Sequence, residues 1–169
     1  MQKFGGICRV LIDHNDRDVS EPKEPVNKVY RKDKTPNRPD YRDLMDNGGE
    51  GWRREHSERN LLEWGTPSDY LGTGTKLLLY DTDARAITVV ADIDPDQCFT
   101  LSKEENYYNV RNIIRDGSIC VLSNEISLDD ITKVDGLEKF QNHRQFKDIT
   151  KTQFEVLIRG KKCRDGRTL

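Results

Sequence analysis

Long apolar runs are absent from this sequence, and so are the short motifs of several catalytic and cofactor sites. No stretch reaches the roughly 18 apolar residues that a membrane-spanning helix needs, so we expect no membrane partner. The chain contains no G-x-S-x-G, no HExxH and no glycine loop followed by Lys-Ser/Thr. We therefore expect a protein that binds a partner rather than an enzyme, with no cofactor.

Cysteine is scarce and scattered. The four cysteines, Cys8, Cys98, Cys120 and Cys163, form no C-x-x-C pair and have no histidine at ligand spacing, which argues against a zinc site. In apolar surroundings a reduced, buried thiol is the simplest interpretation. The opening residues also lack an apolar run of signal-peptide length. Together these features favour a soluble protein in the cytoplasm.

Metal and catalytic groups are equally sparse. His14, His56 and His143 lie in three separate polar segments, and no nucleophile can be paired with any of them. Three aspartates that follow the first apolar run, at positions 13, 16 and 18, could hold a divalent cation through oxygen ligands. A solvated acidic turn explains them more simply, and we predict no metal site.

Apolar residues account for only 34% of the 169 residues, the same share as charged residues. Such a composition suits one small core with a long polar segment attached to it. Four of the six prolines lie among charged residues between positions 22 and 39. We predict a single domain over residues 1–169, with a polar, Pro-rich insertion or arm at about 14–50. Residues 20–46 of this arm could contact a protein partner.

The clearest strand signal is a hairpin. Residues 75–80 and 86–93 are rich in apolar and β-branched side chains, and the short polar loop 81–85 joins them. Three further segments have the same apolar character and are predicted strands: 4–13, 98–101 and 118–123.

The helical signals are shorter. A helix is predicted over 52–64, with Ser57 as a possible cap, and further helices should begin after Ser127 and Thr150. Residues 103–115 fit either a helix or an irregular crossing. Because strands do not alternate with long helices, the pattern favours an α+β fold over a doubly wound parallel sheet.

Charge is unevenly distributed along the chain. The net formal charge is −2, but residues 28–54 carry eight basic and five acidic side chains, and residues 159–167 carry five basic and one acidic. The rest of the chain is strongly acidic. A protein of this kind can present a basic surface to an anionic partner such as a nucleic acid.

Two tryptophans and a tyrosine accompany the first basic stretch. Trp52 stands between a glycine and two arginines, Trp64 ends the predicted helix, and Tyr80 ends the first hairpin strand. Aromatic faces can stack on a nucleic-acid base, and neighbouring arginines can bind phosphates. For Trp64, at the end of the predicted helix, a place in the protein core is the better interpretation.

The order of these elements resembles a known family. Trp52 is followed by the pair Arg59-Asn60, by a predicted helix, by a strand that ends in Tyr80, and by a return strand at 87–93. This order is similar to the EVE and YTH branch of the PUA-like superfamily, and the likeness covers about half the chain. Asp81 stands where many relatives have histidine, and the Pro-rich insertion has no counterpart in the family.

The resemblance implies a small, curved, mixed, β-barrel-like sheet with flanking helices, which binds DNA or RNA and admits one modified or flipped base to an aromatic-lined pocket. It implies Trp52 and Tyr80 as pocket walls, with Asn60 and Asp81 as hydrogen-bonding partners of the base. The predicted ligand-binding set is Trp52, Asn60, Trp64, Tyr80 and Asp81, and the predicted phosphate-binding set is Arg53, Arg54 and Arg59.

Two other functions remain open. The chain could be a non-catalytic assembly subunit whose Pro-rich arm becomes ordered against a protein partner. It could also be a metal-dependent hydrolase or nuclease that uses Asp13, Asp16 or Asp81. Salt-dependent affinity for nucleic acid would distinguish the binding module from both.

Overall fold

The computed structural model describes residues 8–13, 39, 41–66, 76–102, 109–142 and 146–169. These residues form eight strands and four α-helices, with a short 3₁₀ helix at Phe140–Asn142. The strands are β1 (Cys8–Asp13), β2 (Leu62–Thr66), β3 (Lys76–Asp81), β4 (Ala86–Asp92), β5 (Phe99–Thr100), β6 (Val110–Ile114), β7 (Cys120–Ser127) and β8 (Phe146–Ile149). The helices are α1 (Tyr41–Asn47), α2 (Glu50–His56), α3 (Leu128–Thr132) and α4 (Lys151–Ile158).

The larger sheet has five strands in the order β7-β4-β3-β1-β8. The predicted hairpin is confirmed as β3 and β4, which pair antiparallel across a short turn. In that turn Arg85 has a φ of 54°, a left-handed conformation that tight hairpin turns require. β1 runs parallel to β3, in a register that aligns Asp13 with Asp81, and β8 pairs antiparallel with β1.

The smaller sheet has three antiparallel strands in the order β2-β6-β5. A single bridge between Ile93 and Ile114 connects the end of β4 to the end of β6, so the two sheets meet at one corner. The described strands do not close into a barrel. The observed architecture is therefore mixed α+β with two small sheets, and the expected barrel-like closure is absent from this part of the chain.

Apolar side chains cover both faces of the five-stranded sheet. On β3, Leu78 and Tyr80 face a cluster that α3, α4 and the 3₁₀ helix complete, with Phe140 and Phe154 among its members. Leu77 and Leu79 face the opposite cluster, which the smaller sheet, α1 and α2 complete. This alternation follows from the two-residue period of a strand, so each face of β3 has its own core.

The two predicted helix starts after Ser127 and Thr150 are confirmed. The Ser127 hydroxyl accepts a hydrogen bond from the Asp130 backbone N–H, and Thr150 forms a reciprocal capping box with Gln153. Each cap satisfies a backbone donor that the first helical turn leaves without a partner. Both helices therefore begin directly after a residue whose side chain accepts a hydrogen bond from the first helical turn.

The predicted helix over 52–64 is wrong in its second half. Helix α2 ends at Ser57, which is its C-cap rather than its N-cap, and the Ser57 hydroxyl accepts the Leu61 N–H at 2.8 Å. Leu62 and Trp64 instead alternate along β2 and face the core. The cross-strand bonds to β6 outweigh a local helical pattern that three apolar residues only weakly specify.

Part of the predicted arm is helical. Residues 41–47 form α1, and Gly48 and Gly49, both with positive φ, connect α1 to α2 in a turn. The Pro-rich stretch at 14–38 lies outside the described residues, as do 103–108. Of the helices in the described ranges, none is long and apolar enough to cross a bilayer.

Candidate functional site: an arginine-lined cavity

The predicted aromatic pocket is not formed. Trp52 and Trp64 are 5% and 2% exposed and belong to the cluster on one face of the five-stranded sheet. Tyr80 is 7% exposed and belongs to the cluster on the opposite face, where it packs edge-on against Phe140 with ring centroids 5.0 Å apart. The prediction that Trp52 and Tyr80 face each other across one hollow is therefore wrong, because β3 itself separates them.

The two predicted base-edge partners lie in turns. Asp81 is fully buried at the end of β3, and its Oδ1 accepts the Asp83 backbone N–H at 2.9 Å, which fixes the hairpin turn. Asn60 is exposed, with a φ of 58°, in the connection from α2 to β2. Burial raises the pKa of Tyr80, and the neighbouring Arg85 guanidinium partly offsets that shift.

The three predicted phosphate-binding arginines have different surroundings. Arg54 is exposed on α2, and the Arg59 guanidinium lies 3.9 Å from the centroid of the Phe99 ring, a cation–π contact. Arg53 is half-buried and pairs with Asp116 at 2.5 Å and with Glu50 at 3.6 Å. Of the three, Arg53 is the one that lines the cavity described next.

That cavity has a volume of about 580 Å³ and lies between the α1–α2 helices, the β6–β7 turn and the C-terminal segment. We call it the arginine cavity, because four arginines from three parts of the chain line it: Arg53, Arg115, Arg164 and Arg167. The rest of its wall includes apolar side chains, among them Leu44, Leu62, Ile119 and Val121, and four carboxylates, those of Asp46, Glu50, Asp116 and Asp165. A pocket of this size, with an apolar wall and convergent polar groups, is typical of a ligand site.

Carboxylates in the same wall hold two of the four arginines. Asp116 pairs with Arg53, and Asp165 accepts from the Arg167 Nε at 2.8 Å. The Arg167 backbone N–H bonded to Asp165 lowers the pKa of that carboxyl. Arg115 makes only a 3.8 Å contact with Asp94 and is 53% exposed.

Arg164 is the more available of the two remaining arginines. It is exposed, and within the described ranges no side-chain partner is recorded for it. Arg115 and Arg164 are thus the cations of the arginine cavity that an anionic ligand can engage at least cost.

A disulfide stands in the wall of the arginine cavity. Cys120 on β7 and Cys163 in the C-terminal segment are bonded, with their Cα atoms 5.1 Å apart. The expectation that these two cysteines are reduced thiols is wrong, because the bridge between Leu122 and Cys163 brings the C-terminal segment alongside β7. Cys98 is free and half-buried, and burial raises the pKa of its thiol.

The three-stranded sheet buries a separate group of polar side chains. Arg111 is fully buried, and its Nη1 lies 3.6 Å from the Glu63 carboxylate, itself 3% exposed. The neighbouring Asn112 donates from its amide to the Trp64 carbonyl at 2.9 Å. Charges are rarely buried without a partner, so this pair fixes the arrangement of β2 and β6.

The acidic residues considered for a metal are only partly placed. Asp13 and Asp81 are register partners at the carboxyl ends of parallel strands, whereas Asp16 and Asp18 lie outside the described residues. Within the ranges that the structure describes, no three Asp, Glu, His or Cys residues gather as a metal site would require. His56 packs against Trp52 and lies 3.8 Å from Glu55, while His14 and His143 are not described.

Sequence reasoning singled out Arg53 and the segment that supplies Arg164 and Arg167, and it missed the rest of the arginine cavity. The excess of basic residues at 159–167 marked the segment that supplies Arg164 and Arg167. Arg115 and the α1 residues carried no comparable signal, since their proximity depends on long-range strand pairing. Comparison with known proteins adds no identification: no family model matches the chain, and no match was found among the curated proteins or the solved structures.

Proposed function

We propose that this protein is a cytoplasmic nucleic-acid-binding module of PUA-like type, which holds phosphates of an RNA or DNA strand at the arginine cavity. The observation that carries the proposal is the convergence of four arginines from α2, the β6–β7 turn and the C-terminal segment on one cavity. Phosphate contacts from such side chains position a nucleic acid without reading its sequence.

The four arginines have two different roles in this proposal. Arg53 and Arg167 are neutralised by Asp116 and Asp165, so they fix the walls. Arg115 and Arg164 are exposed at the cavity and engage phosphate oxygens. Arg159 and Lys162 are also exposed in the basic stretch 159–167.

The apolar part of the wall allows the cavity to contact more of a nucleotide than its phosphate. Ile119 and Val121, both half-buried, offer a surface on which the flat face of a base or the ring of a sugar can lie out of water. A nucleotide unit presents this combination of an anionic and an apolar part. A simple polyanion that lacks bases, such as polyphosphate, should therefore bind less tightly than an oligonucleotide of equal charge.

Fluorescence anisotropy with labelled single- and double-stranded oligonucleotides at two salt concentrations tests the proposal. We expect affinity to fall steeply as salt rises, because bound phosphates release counterions. The double variant Arg115→Gln/Arg164→Gln should bind all sequences more weakly and lower the salt slope by about one per lost contact. Lys133→Gln is the matched control, since Lys133 is exposed on the C-cap of α3 and does not line the cavity.

The outcomes separate the proposal from its rivals. Absence of salt-dependent binding by the unmodified protein would refute the nucleic-acid function. A loss per removed charge that is equal in the double variant and in Lys133→Gln would show binding by general charge rather than at the arginine cavity. Paired oligonucleotides with and without methylated bases test the recognition of a modified base.

A further inference from the structure

The C-terminal segment, residues 162–168, is both a wall of the arginine cavity and a covalently fastened element. It supplies Arg164, Asp165 and Arg167 to the cavity. Cys163, which also lines the cavity, is bonded to Cys120 on β7. One disulfide therefore holds two of the four cavity arginines against the rest of the protein.

The other attachments of this segment are hydrogen bonds. Ser123 donates its backbone N–H to the Lys162 carbonyl at 2.9 Å, and Arg164 donates to the Val121 carbonyl at 2.7 Å. The Arg167 guanidinium donates to the carbonyls of Gly117 and Ile119. Each residue from 164 to 169 is exposed, so water competes for these bonds and the net contribution of each to stability is small.

We infer that the Cys120–Cys163 disulfide is a redox switch for ligand binding at the arginine cavity: reduction releases the C-terminal segment and withdraws Arg164 and Arg167 from the site. The inference rests on the proposed function for its consequence, but the release of the segment does not depend on any ligand. The segment that the cross-link fastens is exposed from residue 164 onward, so without the cross-link the hydrogen bonds named above become its main attachment.

The cavity also provides the route for the reductant, a small dithiol. Cys163 lines the cavity and Cys120 does not, so a dithiol thiolate attacks the sulfur of Cys163. A mixed disulfide forms at Cys163, the bond to Cys120 breaks, and the Cys120 thiolate takes up a proton. The second thiol of the dithiol, as its thiolate, then closes a cyclic disulfide and leaves Cys163 as a thiol, so two electrons and two protons reach the protein.

Limited trypsin digestion of the full chain, with and without dithiothreitol, tests the release. We expect reduction to accelerate cleavage after Arg164 and Arg167 several-fold, read by mass spectrometry, while cleavage after Lys133 changes little. The Cys120→Ser/Cys163→Ser variant should be cleaved rapidly in both conditions. Cys98→Ser, which removes the free thiol, should behave like the unmodified protein.

Anisotropy with a labelled single-stranded oligonucleotide tests the consequence. Reduction should weaken binding several-fold in the unmodified protein and in Cys98→Ser, and should have no effect on the double serine variant. Unchanged trypsin protection after reduction would overturn the switch, whether or not nucleic acid binds. Faster cleavage with unchanged, salt-dependent affinity would also overturn it and leave the proposed function intact, whereas loss of salt-dependent binding in every form would refute the proposed function alone.

Discussion

The two sheets of this protein differ in the polar side chains that they bury. The five-stranded sheet is covered on both faces by aliphatic and aromatic side chains, the centre of its β3 strand is wholly apolar, and its buried polar side chains among the described residues are Asp81, at the end of β3, and Thr88 on β4. The three-stranded sheet buries an ion pair, Glu63 with Arg111, and the amide of Asn112. Hydrophobic burial tolerates small shifts of position, whereas a buried ion pair requires particular partners at particular distances.

The larger sheet therefore contributes mainly to stability, whereas the smaller sheet determines how its own strands are arranged. Removing apolar volume from the larger sheet should cost stability in proportion to the cavity that is left. Removing one charge from the smaller sheet takes the ion pair away from a partner that stays buried, which costs more than the pair contributes. The smaller sheet also carries β6, whose end turns directly into the arginine cavity through Arg115. A substitution that disturbs the smaller sheet should therefore displace the arginine cavity.

The largest effect is expected from Arg111→Met. The substitution keeps the volume of the side chain but leaves Glu63 without its cationic partner, so the free energy of unfolding should fall by about 3–5 kcal/mol. Adding Glu63→Leu should recover much of this loss, because no buried charge is then left. Urea denaturation measures all three proteins. Arg115→Met is the matched control, since Arg115 is exposed, and it should change stability by less than about 0.5 kcal/mol.

A smaller loss of stability is expected when a buried side chain of the larger sheet is shortened. Leu78 is fully buried on β3, so Leu78→Ala should lower the free energy of unfolding by about 3 kcal/mol through lost burial and the cavity left behind. Val156→Ala, on the exposed face of α4, should cost far less. If the two substitutions had equal effects in urea denaturation, the packing assigned to this face would be contradicted.

The larger sheet is also the region that the sequence predicts best. Two apolar runs with a polar loop between them predict β3 and β4 from local sequence alone. Ser127 and Thr150 predict the starts of α3 and α4, because each accepts a hydrogen bond from a residue three positions later. Such signals need no knowledge of distant partners. The parallel pairing of β1 with β3 is different, because residues some 70 positions apart meet there and no local pattern encodes that contact.

The smaller sheet and the site were predicted least well for the same reason. Trp64 fits a helix end or a strand equally well until β6 is known to lie beside it. The mistaken aromatic pocket arose because Trp52 and Tyr80 were grouped by residue type, although β3 divides their two cores. The disulfide was missed because nothing in the sequence indicates that Cys163 returns to β7.

A third prediction concerns the helix layer over the larger sheet. Thr150→Ala removes the oxygen that accepts the Gln153 N–H at 3.0 Å and breaks the capping box, so stability should fall by about 1 kcal/mol. Thr150→Ser keeps the hydroxyl and should restore most of that loss. The midpoint of urea denaturation should move while its slope stays constant. Equal destabilisation by alanine and serine would show that the methyl group, rather than the cap, matters.

The smallest effect lies where the two sheets meet. Asp94 accepts from the Gln97 amide at 2.6 Å and the Asp96 N–H at 3.1 Å, with Arg115 nearby. The Gln97 hydrogen bond lowers the pKa of Asp94 most; burial opposes it, and Asp96 and Arg115 add to the lowering.

A lowered pKa in the folded protein means that Asp94 stabilises the fold above its ordinary pKa and that this contribution is lost as the pH falls through the folded value. Asp94→Asn should thus flatten the fall in stability below about pH 4 by a small amount, as measured by urea denaturation at several pH values. Parallel pH profiles for the two proteins would contradict this role. A flatter profile with unchanged oligonucleotide affinity would show that Asp94 supports the corner between the sheets without acting in the arginine cavity that Arg115 borders.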